Sequence, residues 1–163
     1  MLCKIENYLR NLYRLSGYVA AIFLILVATF ILTGIASRIF GFYIRGLAEY
    51  SGYCMAASSF LALAYTFGEK GHIRITLFLE KSSKNIRKFL ELWCLSIATF
   101  FSGFLSFYFV KMLMVSFKFQ ERSEGADEIL IWIPQVSVAI GSTIFFICVL
   151  HNFILLILNK NNS

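Results

Sequence analysis

The sequence predicts an all-α membrane protein with four transmembrane helices, and three observations carry that prediction. The chain of 163 residues is 59% hydrophobic and 17% aromatic, with only 15% charged residues, whereas an ordinary soluble domain is about 45–50% apolar and about 25% charged. The apolar residues fall into four long runs, about 17–36, 50–67, 92–117 and 131–157, and about 20 helical residues cross a hydrocarbon core about 30 Å thick. Lys and Arg gather in the short stretches between these runs, as at membrane boundaries. Lipid is therefore the expected solvent, and residues 1–163 form a single membrane domain.

The net charge of +6 fits this picture. The basic residues sit at the ends of apolar runs rather than on a patterned face, so orientation and anionic headgroups account for them and nucleic acid is not an expected partner.

Residues 1–16 carry Lys4, Arg10 and Arg14 and lead into span one, 17–36. A cleavable signal peptide competes here, because Gly34-Ile35-Ala36 ends in small residues; the run is longer than the about 7–15 residues of a signal core, so it is read as retained. A connection holding Arg38, Arg45 and Glu49 follows. Span two, 50–67, is rich in small residues. Lipid supplies no hydrophobic drive between helices, so close backbone approach must hold them together. Gly52 with Ala56 and Ser58 with Ala62 form small-xxx-small pairs, which makes this helix the expected centre of helix packing.

Residues 68–88 hold six of the fifteen Lys and Arg. Ile75, Phe78 and Leu79, then Ile86, Phe89, Leu90 and Trp93, recur at helical spacing with charges on the other faces. Both patterns predict an amphipathic interfacial segment between spans two and three, with Lys84, Arg87, Lys88 and Trp93 at the interface and the break at Ser82-Ser83. In span three, 92–117, Ala98, Ser102 and Ser106 share one small face, opposite Phe100, Phe104 and Phe107. Lys111 is the one charge in that span and is expected to snorkel to the near interface. The third connection is acidic, with Glu121, Glu124, Asp127 and Glu128. Span four has Pro134 in its first turns, where a missing N–H does least damage.

The N-terminal segment, the central basic stretch and the tail together hold ten Lys and Arg, against Arg38, Arg45, Lys118 and Arg122 in the other two connections. The positive-inside rule then places both termini in the cytoplasm. Cys3, Cys54, Cys94 and Cys148 form no C-x-x-C pair, and no nucleophile–base set, phosphate loop or metal-ligand cluster occurs. No catalytic, cofactor or metal residue is therefore expected.

The central stretch also carries a resemblance. Glu49 before span two, Ala64-Tyr65 near its end and Gly71-His72-Ile73-Arg74-Ile75 after it resemble the small membrane subunit, DctQ type, of tripartite ATP-independent periplasmic (TRAP) transporters. The four-span layout, orientation and size are similar along essentially the whole chain. The resemblance implies a non-enzymatic scaffold subunit in a bacterial inner membrane. Its implied partners are a large sodium-coupled permease subunit and a periplasmic binding protein that delivers an organic acid. In that setting His72 and Arg74 are expected to contact phospholipid headgroups or the large subunit's inner loops. Glu49, Glu121, Glu124, Asp127 and Glu128 become docking candidates on the periplasmic side. The competing reading is a haem-bearing membrane anchor of a redox complex, with His72 and His151 toward the same side of the membrane.

Overall fold

A computed structural model describes residues 2–70, 84–125 and 128–160. Four helices account for nearly all of it, α1 (Leu2–Ile39), α2 (Leu47–Lys70), α3 (Lys84–Phe119) and α4 (Trp132–Lys160), and no strand is present among the described residues. Three of them, α1, α3 and α4, are long and apolar enough to cross a membrane.

The helices outrun the apolar segments that mark them in the sequence. α1 has 38 residues, about 57 Å at 1.5 Å per residue, and starts well before the expected boundary at residue 17. α3 starts at Lys84 rather than 92, so Ile86, Phe89, Leu90 and Trp93 lie on the same continuous helix as the span. A charged turn of good helix formers does not break a helix; it only ends the apolar run. The first half of the expected interfacial segment, 71–83, lies outside the described residues.

α2 is different in kind. Its 24 residues reach about 36 Å, but Ser51, Gly52, Ser58, Ser59 and Thr66 dilute its apolar character. Three of its hydroxyls turn back to their own helix: Ser51 Oγ donates to the Ala48 carbonyl (2.8 Å), Ser59 Oγ to Met55 (2.8 Å) and Thr66 Oγ1 to Ala62 (2.8 Å). These three hydroxyls are thus satisfied without water.

Contacts run from α1 to α2, from α2 to α4 and from α4 to α3. α2 and α4 therefore occupy the middle, with α1 and α3 as flanks. The ends are closed by local chemistry. α1 stops in a Schellman cap: the Phe42 amide donates to the Ser37 carbonyl (3.0 Å) and the Gly41 amide to Arg38 (3.2 Å), with Gly41 at φ 76°, a conformation that costs glycine nothing. α3 stops in the same pattern, Glu121 amide to Ser116 carbonyl (3.2 Å), but here Gln120 takes the left-handed position at φ 51°.

Candidate interaction surface

The helices meet along three seams, each built on a glycine and a hydroxyl or thiol. Between α1 and α2, the ring of Tyr65 lies over Gly17 and Ser58 Oγ donates to the Ala20 carbonyl at 2.9 Å. Ala20 and Ser58 are both buried there. Between α2 and α4, a β-carbon at Gly141 would lie 2.9 Å from the carbonyl carbon of Phe60 and 3.0 Å from the amide nitrogen of Leu61. Lower on the same seam the Cys148 thiol donates to the Ala64 carbonyl at 3.6 Å, and both residues are fully buried. Tyr13 of α1 reaches this point too, packing on Gly68. Between α3 and α4, Phe146 covers Gly103, the hydroxyls of Ser106 and Thr143 share a hydrogen bond of 3.1 Å, and the rings of Phe117 and Trp132 meet edge-on at 5.4 Å.

The described parts of the acidic connection between α3 and α4 pair through their backbones. Arg122 and Leu130 face each other as an isolated antiparallel bridge, with the Ser123 amide donating to Ile129 (2.7 Å) and the Ile131 amide to Glu121 (3.0 Å). Ser116 Oγ donates to Glu121 Oε2 at 2.9 Å, and Ser116 is buried. The hydroxyls of Tyr53 and Ser123 lie 3.0 Å apart, tying this turn to α2. Glu124 and Glu128 are exposed on it.

The flanks are where the molecule remains open. On α1 the exposed large side chains from Ile22 to Ile35 are all aliphatic, whereas α3 exposes Phe89, Trp93, Phe100, Phe104, Phe107 and Tyr108. Phe89 and Trp93 stack at 6.4 Å, and Tyr108 packs against Phe104 (4.5 Å) and Phe107 (5.6 Å). Across the molecule, Leu12, Val19 and Phe23 of α1 and Val136, Ile140 and Ile144 of α4 line an apolar groove of about 350 Å³.

Four helices, long apolar spans and small-residue seams suit a membrane subunit of many kinds. The decision comes from a family model described as "Tripartite ATP-independent periplasmic transporters, DctQ component", which matches residues 26–159. The chain belongs to the DctQ family. It is thus a multi-pass membrane protein and a small-subunit component of a TRAP transporter, in a family of transporter components rather than enzymes. Comparison with curated proteins and with solved structures gives no match.

This DctQ chain distributes the residues singled out from its sequence unevenly. His72, Arg74 and Asp127 lie outside the described residues. Lys84, Arg87 and Lys88 belong to the first turns of α3, with their side chains likewise outside the description, and Trp93 is exposed on that helix. Of the small residues, Ser58, Ser102 and Ser106 are buried and Ala56, Ala62 and Ala98 partly so. Gly52 is exposed, and a β-carbon there would meet nothing within 4 Å. Glu49 occupies the first turn of α2 and is half-buried. Glu121 is engaged by Ser116, unlike Glu124 and Glu128.

Several packing residues are invisible to the pairwise small-residue pattern. Gly68, read from sequence as the start of a connection, is still helical and supports Tyr13. Gly103 and Gly141 make the closest approaches on α4's two seams but have no small partner four residues away that drew notice. The signal that finds them is simpler: in lipid, any glycine inside a span marks a possible backbone approach. His151 is half-buried on α4, while its neighbour Asn152 donates to the Cys148 carbonyl (2.8 Å) of its own helix. Family membership lends the haem-anchor reading no support.

Proposed function

We propose that this chain is the scaffold subunit of a sodium-coupled TRAP transporter that takes up organic acids delivered by a periplasmic binding protein. In this reading the chain sits in the inner membrane with four spans, α2 included, and both termini in the cytoplasm. The observation that carries it is the family match over residues 26–159. The packing supports it: seams made of glycine and alanine contacts are rigid, as a fixed support for a moving partner requires. The charge pattern supports the orientation. The self-satisfied hydroxyls of α2 support its crossing. No catalytic role is assigned to any residue. The large subunit holds the substrate and ion sites, since no Asp or Glu lies within the spans of this chain to serve ion coupling.

The docking roles follow the same orientation. Glu49, Glu121, Glu124, Asp127 and Glu128 face the periplasm and steer the binding protein electrostatically. His72, Arg74, Lys84, Arg87, Lys88 and Trp93 engage phospholipid headgroups or the large subunit at the inner interface.

The test is affinity purification of the tagged chain from membranes, with sodium-dependent uptake measured in a deletion strain. A large multi-span subunit in the eluate, and uptake lost on deletion, are the expected results. Absence of such a partner, with uptake unaffected by deletion, overturns the reading.

A further inference from the structure

We infer that the aromatic face of α3 is a docking face for a helix of another membrane protein, and that this helix presents a carboxylate to Lys111. This deepens the reading above, on which that helix belongs to the large subunit.

Lys111 is exposed on α3 and, at about 100° per residue, shares the helix face of Phe100, Phe104 and Phe107. The seam contacts fix its depth. Phe117 packs on Trp132 at one end, and Ser106 meets Thr143 further in. Lys111 lies six residues inside the Phe117 level, about 9 Å along the axis. Trp residues mark membrane interfaces, so the ammonium starts well within the apolar zone. Helical side chains lean toward the N-terminus of their own helix, which for α3 is away from the Trp132 end. The structure shows this lean: Lys111 Nζ lies over the ring of Tyr108, 5.9 Å from its centroid. The ammonium therefore points inward along the face rather than snorkelling toward the near interface.

A cation in that position facing lipid is costly, and intramembrane charges almost always face protein or a water-filled cavity and pair there. Within this chain the Tyr108 ring is its contact among the described residues. A weak attraction of about 0.5–2 kcal/mol leaves the charge short of a counter-ion. The two flanks differ in the same sense. From Ile22 to Ile35 α1 presents an uncharged aliphatic face suited to acyl chains, whereas α3 presents aromatic rings, which protein interfaces favour, around a cation, which lipid does not. The unmet charge on this face of α3 calls for an acid.

Photocrosslinking in intact membranes tests this. Phe104 is replaced by p-benzoylphenylalanine, with the same substitution at Ile25 on α1 as control, each alone and combined with Lys111→Met or Lys111→Arg. The expected result at position 104 is an adduct with another membrane chain. It maps within about a turn of an Asp or Glu, falls about tenfold with Lys111→Met, and survives Lys111→Arg. Retention of the adduct with Lys111→Met overturns the inference, because a lipid-facing lysine is better replaced by methionine. Adducts only with lipid or with a second copy of this chain also overturn it. A charge-dependent adduct with a membrane protein other than a TRAP large subunit upholds the docking face and instead overturns the function proposed above.

Discussion

Gly141 of α4 rests against the main chain of Phe60 in α2, so close that a β-carbon would stand 2.9 Å from the Phe60 carbonyl carbon. Neither the backbone nor the Phe60 β-carbon can yield cheaply at that distance. Gly141→Val is expected to part the two central helices and lower stability by about 1–3 kcal/mol, read as a drop in Tm in detergent. Gly52→Ala, where a β-carbon meets nothing within 4 Å, is expected to leave Tm unchanged or slightly raised, since alanine favours helix by up to about 1 kcal/mol.

Tyr13 provides a test with the opposite sign. Its side chain is buried against Gly68, and its hydroxyl lies near the Cys148 thiol, which donates to Ala64 instead, so that among the described residues it makes no hydrogen bond of good geometry. Removing a buried, unsatisfied polar atom while keeping the ring is expected to be stabilising, by about 1 kcal/mol at most. Tyr13→Phe should raise Tm slightly, while Tyr13→Ala, which empties the space over Gly68, should lower Tm through a stability loss of about 3 kcal/mol or more.

Gln120 holds a left-handed backbone at φ 51°, which costs an L-residue about 1–2 kcal/mol. Its Nε2 donates to the Phe117 carbonyl at 2.8 Å, offsetting part of that cost. Gln120→Gly is expected to stabilise by about 0.5–1 kcal/mol, measurable by thermal unfolding of the purified chain.

Glu124 and Glu128 are exposed on a turn that Tyr53 and Ser123 hold in place. Reversing both charges to lysine is expected to slow uptake at low salt, with the difference fading near physiological ionic strength, where charges are screened over about 8 Å. Equal uptake kinetics at low salt would remove the steering role. Glu121→Lys is a poor choice for that experiment, because it also breaks the bond from Ser116.

The sequence makes four helices in this order plainly legible, since apolar length is a property of the chain alone. Gly71-His72-Ile73-Arg74, placed between two spans, led to the family in the same way. Helix ends were less legible: Lys4, Arg10 and Arg14 end an apolar run but not α1, and Lys84 to Glu91 precede the apolar run yet belong to α3. Close approaches were hidden for another reason. Gly141 and Gly68 gain their meaning from Phe60 and Tyr13, about 80 and 55 residues distant by their numbers, and no local pattern encodes which helix faces which. The bridge of Arg122 with Leu130 depends likewise on Gln120 and Glu128 accepting positive φ, which neither residue type advertises.

The central seam has a consequence for how the protein is made. The main chain of Phe60 and Leu61 packs on Gly141, and the Ala64 carbonyl accepts from Cys148, residues that leave the ribosome some eighty residues later. α2, the least apolar of the four helices, therefore stays beside α1 without these partners until α4 is made. The hydroxyls of Ser51, Ser59 and Thr66, bonded to carbonyls of their own helix, let it wait; a truncation that removes α4 would leave its small-residue face bare, a ready mark for quality-control proteolysis.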